Sequence, residues 1–285
     1  MGKVLIDAHQ HLWRYSPPGP AWMGNELEVL RRDFLLDDLR SVTADAGVTG
    51  TIVVEAERTL EETKWLSQVA ESDDLICGVV GWAPLTIPGI APELERIALL
   101  PKMKAVRHPI HDESDDQFIL RDDFNRGINE LKRFDLRYDI LIFEKHLAQT
   151  VRFVDRHPNQ IFILDHAAKP RIRDRELAPW MDNIRELARR PNVYCKLSGM
   201  VTEADWNTWS VEALSPYIDI VLEAFTPKRL MFGSDWPVVT LASSYRRWTG
   251  TVRVAIAHLS ADERDWIFAK TAIEAYGLTN RDRMR

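Results

Sequence analysis

Cysteine is nearly absent from this sequence, positive charge is in deficit, and long apolar runs are missing; each shortage removes a class of protein. The two cysteines, Cys77 and Cys195, lie far apart inside apolar runs. A disulfide-stapled scaffold is therefore excluded, and both read as small buried hydrophobes of a reducing compartment. A formal net charge of -6 and a pI near 5.8 leave no basic surface for nucleic acid or an anionic membrane. No apolar run approaches the roughly 18 residues of a membrane span, and the first 30 residues lack the basic start, apolar core and cleavage site of a secretory signal. The expectation is a cytoplasmic protein with no nucleic-acid or membrane partner. There is also no glycine-rich dinucleotide fingerprint after the first strand, and no low-complexity stretch or linker-like composition shift.

What is present is alternation. A chain of 285 residues with 45% hydrophobic content can bury one large core, and a barrel of eight strand and helix pairs needs about 250 residues. Lys3 to Ile6 reads as a buried strand leading into Asp7-Ala8-His9-Gln10-His11. A long Pro- and Trp-bearing loop from Arg14 to Arg32 follows, and loops of that length in compact domains are usually functional. Strands are then predicted at Thr51–Ala56, Leu75–Trp82, Lys104–Arg107, Tyr138–Phe143, Ile161–Asp165, Val193–Leu197 and Leu230–Gly233. Helices are predicted at Asp37–Gly47, Thr59–Ser72, Pro92–Leu100, Asp122–Phe134, Leu147–Arg156, Trp180–Arg190, Val211–Phe225, Tyr245–His258 and Asp262–Tyr276. Such alternation specifies a parallel sheet covered by helices, and eight units favour closure. The predicted fold is a single α/β domain, a (β/α)8 TIM barrel over residues 1–285.

In such barrels chemistry sits at the carboxyl ends of the strands. His9 and His11 alternate in a strand, so they share a face, with Asp7 on that face below them. Two imidazoles about 6 to 7 Å apart along a strand can converge on one metal ion or one carbonyl oxygen, although alone they fit equally a satisfied polar strand end. Glu55 and Glu57 end the second strand, Trp82 the third, Arg107-His108 the fourth, and Glu144-Lys145-His146 the fifth. Asp165-His166 ends the sixth, with Lys169 beyond; Lys196 and Ser198 belong to the seventh, and Ser234-Asp235-Trp236-Pro237 follows the eighth. Six of the eight histidines fall at or just past these ends, although His111, in an acidic loop, reads as peripheral. A carboxylate such as Asp235 beside the pore would have its pKa raised by desolvation unless cations offset it. No Gly-x-Ser-x-Gly elbow surrounds Ser198 or Ser234, so a serine nucleophile is not supported, although Ser234 could orient Asp235.

Four motifs taken in order are Ile6-Asp7-Ala8-His9-Gln10-His11-Leu12-Trp13, Leu164-Asp165-His166-Ala167-Ala168-Lys169-Pro170, Cys195-Lys196-Leu197-Ser198-Gly199 and Met231-Phe232-Gly233-Ser234-Asp235-Trp236-Pro237. Across essentially the whole chain they resemble the amidohydrolase superfamily (amidohydrolase 2 type), and within it the L-fuconolactonase-like branch of sugar-acid lactonases. The resemblance implies a barrel that opens a small cyclic ester, with Asp235 as general base. His9, His11 and His166 would polarise the carbonyl or, together with Asp235, hold a metal. Arg107 stands where metal-dependent relatives carry a bridging lysine and cannot be carbamylated, which argues against a binuclear centre. No cofactor is then strictly required, and at most a single weakly held divalent ion such as zinc is expected.

The residues agree with that chemistry, because ester hydrolysis needs a base for the water proton and a site for the oxyanion. Arg107, His108, Glu144, His146 and Lys196 are candidate substrate contacts, with Lys169 adding positive potential. Trp82, Trp236 and Trp13 would offer flat faces to a sugar. The expected function is hydrolysis of a sugar-derived lactone, such as L-fuconolactone, to its open-chain acid in carbohydrate metabolism. The alternatives are a dicarboxylate lactone hydrolase of aromatic catabolism, which would want several pore arginines (Arg14, Arg171 and Arg173 besides Arg107), a metal-dependent amidohydrolase or decarboxylase, and a catalytically silent binding barrel.

Overall fold

In the computed structural model, which describes residues 4–17, 19 and 22–279, eight strands form one sheet in sequence order. They are β1 Ile6–Gln10, β2 Gly50–Val54, β3 Ile76–Gly81, β4 Met103–Pro109, β5 Arg137–Leu141, β6 Phe162–Leu164, β7 Val193–Leu197 and β8 Leu230–Phe232. All neighbouring pairs are parallel. The sheet closes just beyond β8. There Gln10 bridges Trp236, the His11 amide donates to Trp236 O at 2.7 Å, and the Asp235 amide donates to His9 O at 2.8 Å. The fold is the (β/α)8 barrel that the alternation predicts. Residues 1–3 and 280–285 of the expected domain, and Pro18, Pro20 and Ala21 of the long loop, lie outside the described residues.

The helices are α1 Leu36–Ala46, α2 Leu60–Ser72, α3 Ala91–Ala98, α4 Asp122–Leu131, α5 Leu147–Arg156, α6 Trp180–Ala188, a short α7 Met200–Glu203, α8 Val211–Arg229, α9 Tyr245–Ala255, α10 Ala261–Asp265 and α11 Thr271–Tyr276. Local chemistry sets several ends. The side chains of Thr59, Ser210, Ser244 and Ser260 accept an amide hydrogen from the first turns of α2, α8, α9 and α10. Gly47, at φ 72°, ends α1 in the left-handed conformation that lacks a Cβ penalty. The single helix expected over 262–276 is two helices joined by a π-helical stretch, Trp266–Lys270. This C-terminal segment plugs the barrel floor, with Ala269, Ala272, Ala275 and Tyr276 packed with Ile6, Ile52, Val80 and Met231. Among the described residues no helix is long and apolar enough to cross a membrane.

One expectation fails at β1. The strand begins at Ile6, with Val4 exposed, so the His-bearing motif is the strand itself. Its pairing with β2 runs Asp7↔Thr51 and Gln10↔Val53, three residues against two, which is a β-bulge. Ile6 and Ala8 pack into the interior cluster, and the bulge then turns His9 inward too. Asp7 does not share the histidines' face. It is buried beneath α9, accepting hydrogen bonds from Ser234 N (2.7 Å), Ser234 Oγ (2.6 Å), Tyr245 OH (2.8 Å) and His9 N (3.1 Å). Ser234 therefore serves Asp7 and not the Asp235 carboxylate.

His157, at the end of α5, sits between the side-chain oxygens of Asn129 (2.9 Å) and Asn125 (2.8 Å), against Phe153. Burial, helped by Arg156, pulls its pKa down to about 4. The unfolded chain takes up this proton near pH 6.5 and the folded chain only near 4. The contribution is therefore fully present above about pH 6.5 and is lost as pH falls toward 4. His157→Gln removes the titration, so its urea midpoint should drop less between pH 7 and pH 5 than that of the unsubstituted protein. Equal drops would clear His157 of a part in acid sensitivity.

Candidate active site

At the carboxyl ends of the strands, four chemically active side chains converge from three elements. The β1 bulge supplies His9 and His11, whose Nε2 atoms lie 3.1 Å apart. The Asp235 carboxylate, just past β8, approaches with Oδ1 3.7 Å from His9 Nε2, 3.5 Å from His11 Nε2 and 3.8 Å from His166 Nε2. Asp235 has φ 59°, and the four residues His166 to Lys169 all have positive φ, between 47° and 61°. Such left-handed backbone costs about 1–2 kcal/mol per non-glycine residue and persists only where its surroundings over-determine it. Here the turn after β6 swings His166 and Lys169 onto the same cavity. The indole N–H of Trp180 fastens that turn by bonding Ala167 O at 2.8 Å.

Two glycines make room for the convergence. A Cβ on Gly233 would lie 2.8 Å from His9 Cβ and 3.0 Å from Ser198 Cβ, and a Cβ on Gly199 would lie 2.6 Å from His166 Nδ1. Gly199 also has φ 64°. Each imidazole is oriented from behind: His11 Nδ1 lies 2.8 Å from Val54 O, His166 Nδ1 2.8 Å from Ser198 Oγ, and His9 Nδ1 3.0 Å from Lys196 Nζ. A carbonyl oxygen only accepts, so His11 carries its hydrogen on Nδ1 and presents a bare Nε2. Burial holds His9 and His166 well below the ordinary imidazole range, so both are neutral at pH 7. Burial alone would raise Asp235, as the sequence suggests, but the neighbouring His166, His11 and Lys169 outweigh it and hold the carboxylate below its usual pKa.

His11, His166, Lys169 and Asp235 open onto a cavity of about 290 Å³, with His9 wholly buried behind them; the volume is at the small end of ligand sites and suits a single ring. A family model described as amidohydrolase matches residues 6–278. The chain belongs to the amidohydrolase family. It is 40% identical to an L-fucono-1,5-lactonase of Burkholderia multivorans over 98% of this chain and 97% of the relative. To an L-fucono-1,5-lactonase of Burkholderia ambifaria it is 34% identical over 95% of this chain and 94% of the relative. A crystal structure of an amidohydrolase from Burkholderia multivorans with bound zinc superposes with a TM-score of 0.92 at 40% identity, covering 97% of this chain and all of that one.

As an amidohydrolase cavity, the site fits a metal ion in its donor set. Ligands about 2.0–2.1 Å from zinc at tetrahedral corners are about 3.3 Å apart, and the donor atoms of His9, His11 and Asp235 are 3.1 to 3.7 Å apart, while His166, 3.8 Å from Asp235, stands outside that set. In addition, Asp165 Oδ1, 3.3 Å from His9 Nδ1, is buried without a directed hydrogen bond. It is the acceptor that an ion-holding His9 would need behind it.

Of the expected substrate contacts, Arg107 borders the cavity. Its Nε donates to Glu55 Oε1 at 2.7 Å, while its two terminal nitrogens reach Asp165 Oδ2 at 3.0 Å and Glu55 O at 2.6 Å. Three of its five N–H groups are thus committed, and two remain for a ligand. The others fall elsewhere. Because Arg107 points inward, His108 points out by strand alternation; it stacks on Phe118, bonds Glu113 at 2.7 Å and takes the Trp82 indole N–H at 3.3 Å. Glu144 and His146 lie in the turn that starts α5, with His146 tied to Phe143 N and Asp116. Trp236 is buried edge-on against Phe34, and Trp13 packs on Phe34 and Trp22. Lys196 is wholly buried beneath His9, inside the barrel, and cannot touch substrate. These six candidates and Trp13 are corrected on those grounds: His108 takes the outer of two alternating faces, Lys196 lies too deep, Glu144 and His146 belong to a turn, and the tryptophans are spent on packing or on His108.

The cavity's aromatic walls are instead Trp22 and Trp206. The Trp22 indole donates to Ala56 O at 2.9 Å, anchoring the long loop after β1. Glu203 and Thr202, carried by α7, and Lys169, ion-paired to Glu203 at 3.1 Å, line the opposite side. His111, read from the sequence as peripheral, also borders the cavity, as does Asp112. The signal for Glu203 and Trp206 was length, since the segment between β7 and α8 is far longer than an ordinary turn. Gly199→Ala should press on the His166 ring and lower both melting temperature and kcat, whereas Gly250→Ala, which meets nothing, should leave both unchanged. Equal behaviour of the two variants would mean the His166 packing is not needed.

Proposed function

We propose that this amidohydrolase hydrolyses a neutral sugar-derived lactone, of the L-fuconolactone kind, to the open-chain sugar acid. The observation that carries the reading is the ionised Asp235 carboxylate facing three imidazoles in a one-ring cavity. Its near-full-length similarity to L-fucono-1,5-lactonases supports the substrate class. Asp235 takes a proton from water as the water oxygen attacks the lactone carbonyl. Neutral His166 can donate N–H to the oxyanion, and His9 braces His11 from behind. His11, with a bare Nε2, is suited to accept from the attacking water. Collapse breaks the ring C–O bond, and the proton held by Asp235 passes to the departing alkoxide. His9, His11 and Asp235 are the residues that would hold a zinc ion, with His166 beside them, and when bound the ion would polarise the carbonyl and acidify water.

The balance of charge favours a neutral substrate over a dicarboxylate. Arg107 and Lys169 are the cations of the cavity lining, while Glu55, Asp112, Glu203 and Asp235 are carboxylates, and both cations are already paired. The same excess repels the carboxylate product, which promotes its release. Trp22 and Trp206 supply the apolar faces that a sugar ring covers. The two buried, free cysteines fit a cytoplasmic enzyme of carbohydrate metabolism.

On a panel of aldonolactones followed by acid release, Asp235→Asn should lower kcat by about 10²–10⁴-fold with an unchanged melting temperature; near-normal turnover would remove it as the base. Chelator-treated enzyme should keep its activity on the panel, because the base and the N–H donors belong to the chain. Loss of activity that returns with zinc would make the ion obligatory.

A further inference from the structure

Lys196 takes no part in the reaction above, yet it is one of the largest fully buried side chains in the molecule. Its Nζ has three near neighbours: Asp139 Oδ2 at 2.6 Å, Asp165 Oδ1 at 2.9 Å and His9 Nδ1 at 3.0 Å. An ammonium carries three N–H groups and no lone pair. A hydrogen on His9 Nδ1 would point at a group that can only donate. His9 Nδ1 is therefore bare, and the hydrogen of the neutral ring sits on Nε2. On the other side of the ring that hydrogen finds an acceptor when His11 is neutral. His11, bonded to Val54 O through Nδ1, presents a bare Nε2 that lies 3.1 Å from His9 Nε2, and a hydrogen bond across that gap must take its hydrogen from His9.

A metal-holding histidine ordinarily donates its second ring N–H to a carboxylate, carbonyl or water. His11 follows that pattern. His9 does not, because the group behind it is a cation. We infer that Lys196 is a positioning residue that holds His9 in its Nε2–H tautomer, so that the resting site is set to donate a hydrogen bond and takes up a divalent ion only by giving up that arrangement. For an ion to bind His9, Nε2 must lose its hydrogen to water and Nδ1 must gain one. The Lys196 N–H then has to turn away, and the new Nδ1–H meets Asp165 Oδ1, 3.3 Å off and otherwise without a directed hydrogen bond. Both states are thus provided for, and Lys196 weights the balance against the ion. The inference rests on the Asp235 and imidazole site of the proposed function but not on the lactone.

Histidine 15N spectra of metal-free enzyme, with the His9 signals identified by their loss in His9→Asn, read the tautomer directly. We expect Nε2–H in the metal-free protein and Nδ1–H after zinc is added. The paired variant Lys196→Met with Asp139→Asn removes one charge of each sign and leaves an acceptor for Tyr276. Its affinity for zinc alone, measured by competition with a chromophoric chelator, should be tighter by roughly 10–100-fold, the range that partners behind metal ligands command. A native His9 protonated on Nδ1 without metal would overturn the inference, as would a folded paired variant that binds zinc no more tightly. If the variant does not fold, the native spectra decide. Both measurements are made without lactone, so failure of every lactone would remove the proposed substrate and leave this result standing.

Discussion

Inside the barrel, Glu55, Arg107, Asp165, Lys196 and Asp139 form a line of alternating charges in contact, running from the mouth toward the floor, where Tyr276 closes it with a hydrogen bond to Asp139 at 2.7 Å. All five are buried, so removing one partner would leave an uncompensated charge in low dielectric, a loss of about 3–5 kcal/mol. The surplus carboxylate is accommodated at the floor end, where burial lifts Asp139 to about 6. The upper end of the line is functional: Arg107 reaches the cavity wall, and Lys196 and Asp165 stand behind His9. The same contacts that pair the barrel's interior charges also stand behind the groups at its mouth.

A second constraint is backbone strain at the mouth. Asp235 and the run from His166 to Lys169 adopt left-handed conformations without glycine, and rigid pegs hold them there. Tryptophan indoles bond backbone carbonyls around the rim, Trp180 to Ala167, Trp248 to Gly233 and Trp22 to Ala56. Each indole brings a large apolar body for packing and one N–H that must find a partner when buried. The loops that carry function are therefore tied to the strands.

The alternation of apolar strands and amphipathic helices made the barrel legible, because each element's period and caps are local properties. The four catalytic candidates were legible for a related reason, since they lie at the ends of strands and a parallel barrel gathers all such ends on one rim. The substrate contacts were mostly not. Lys196 faces inward but lies too deep, Trp236 packs away from the cavity against Phe34, and His108 and Trp82 satisfy each other. Trp22, Glu203 and Trp206 reach the cavity from long connections whose paths depend on where they dock.

The sequence by itself determined the architecture and marked the candidate reacting groups, because periodicity, capping and strand-end position are written residue by residue. Only the tertiary structure decided what each group does. The bulge in β1 sends Asp7 to α9 and His9 into the barrel beneath the cavity, and an ammonium meets the back of His9 where a carboxylate was free to stand. Register, chirality at single residues and the sign of a buried neighbour are set by contacts between segments far apart in the chain, and local pattern carries no trace of them.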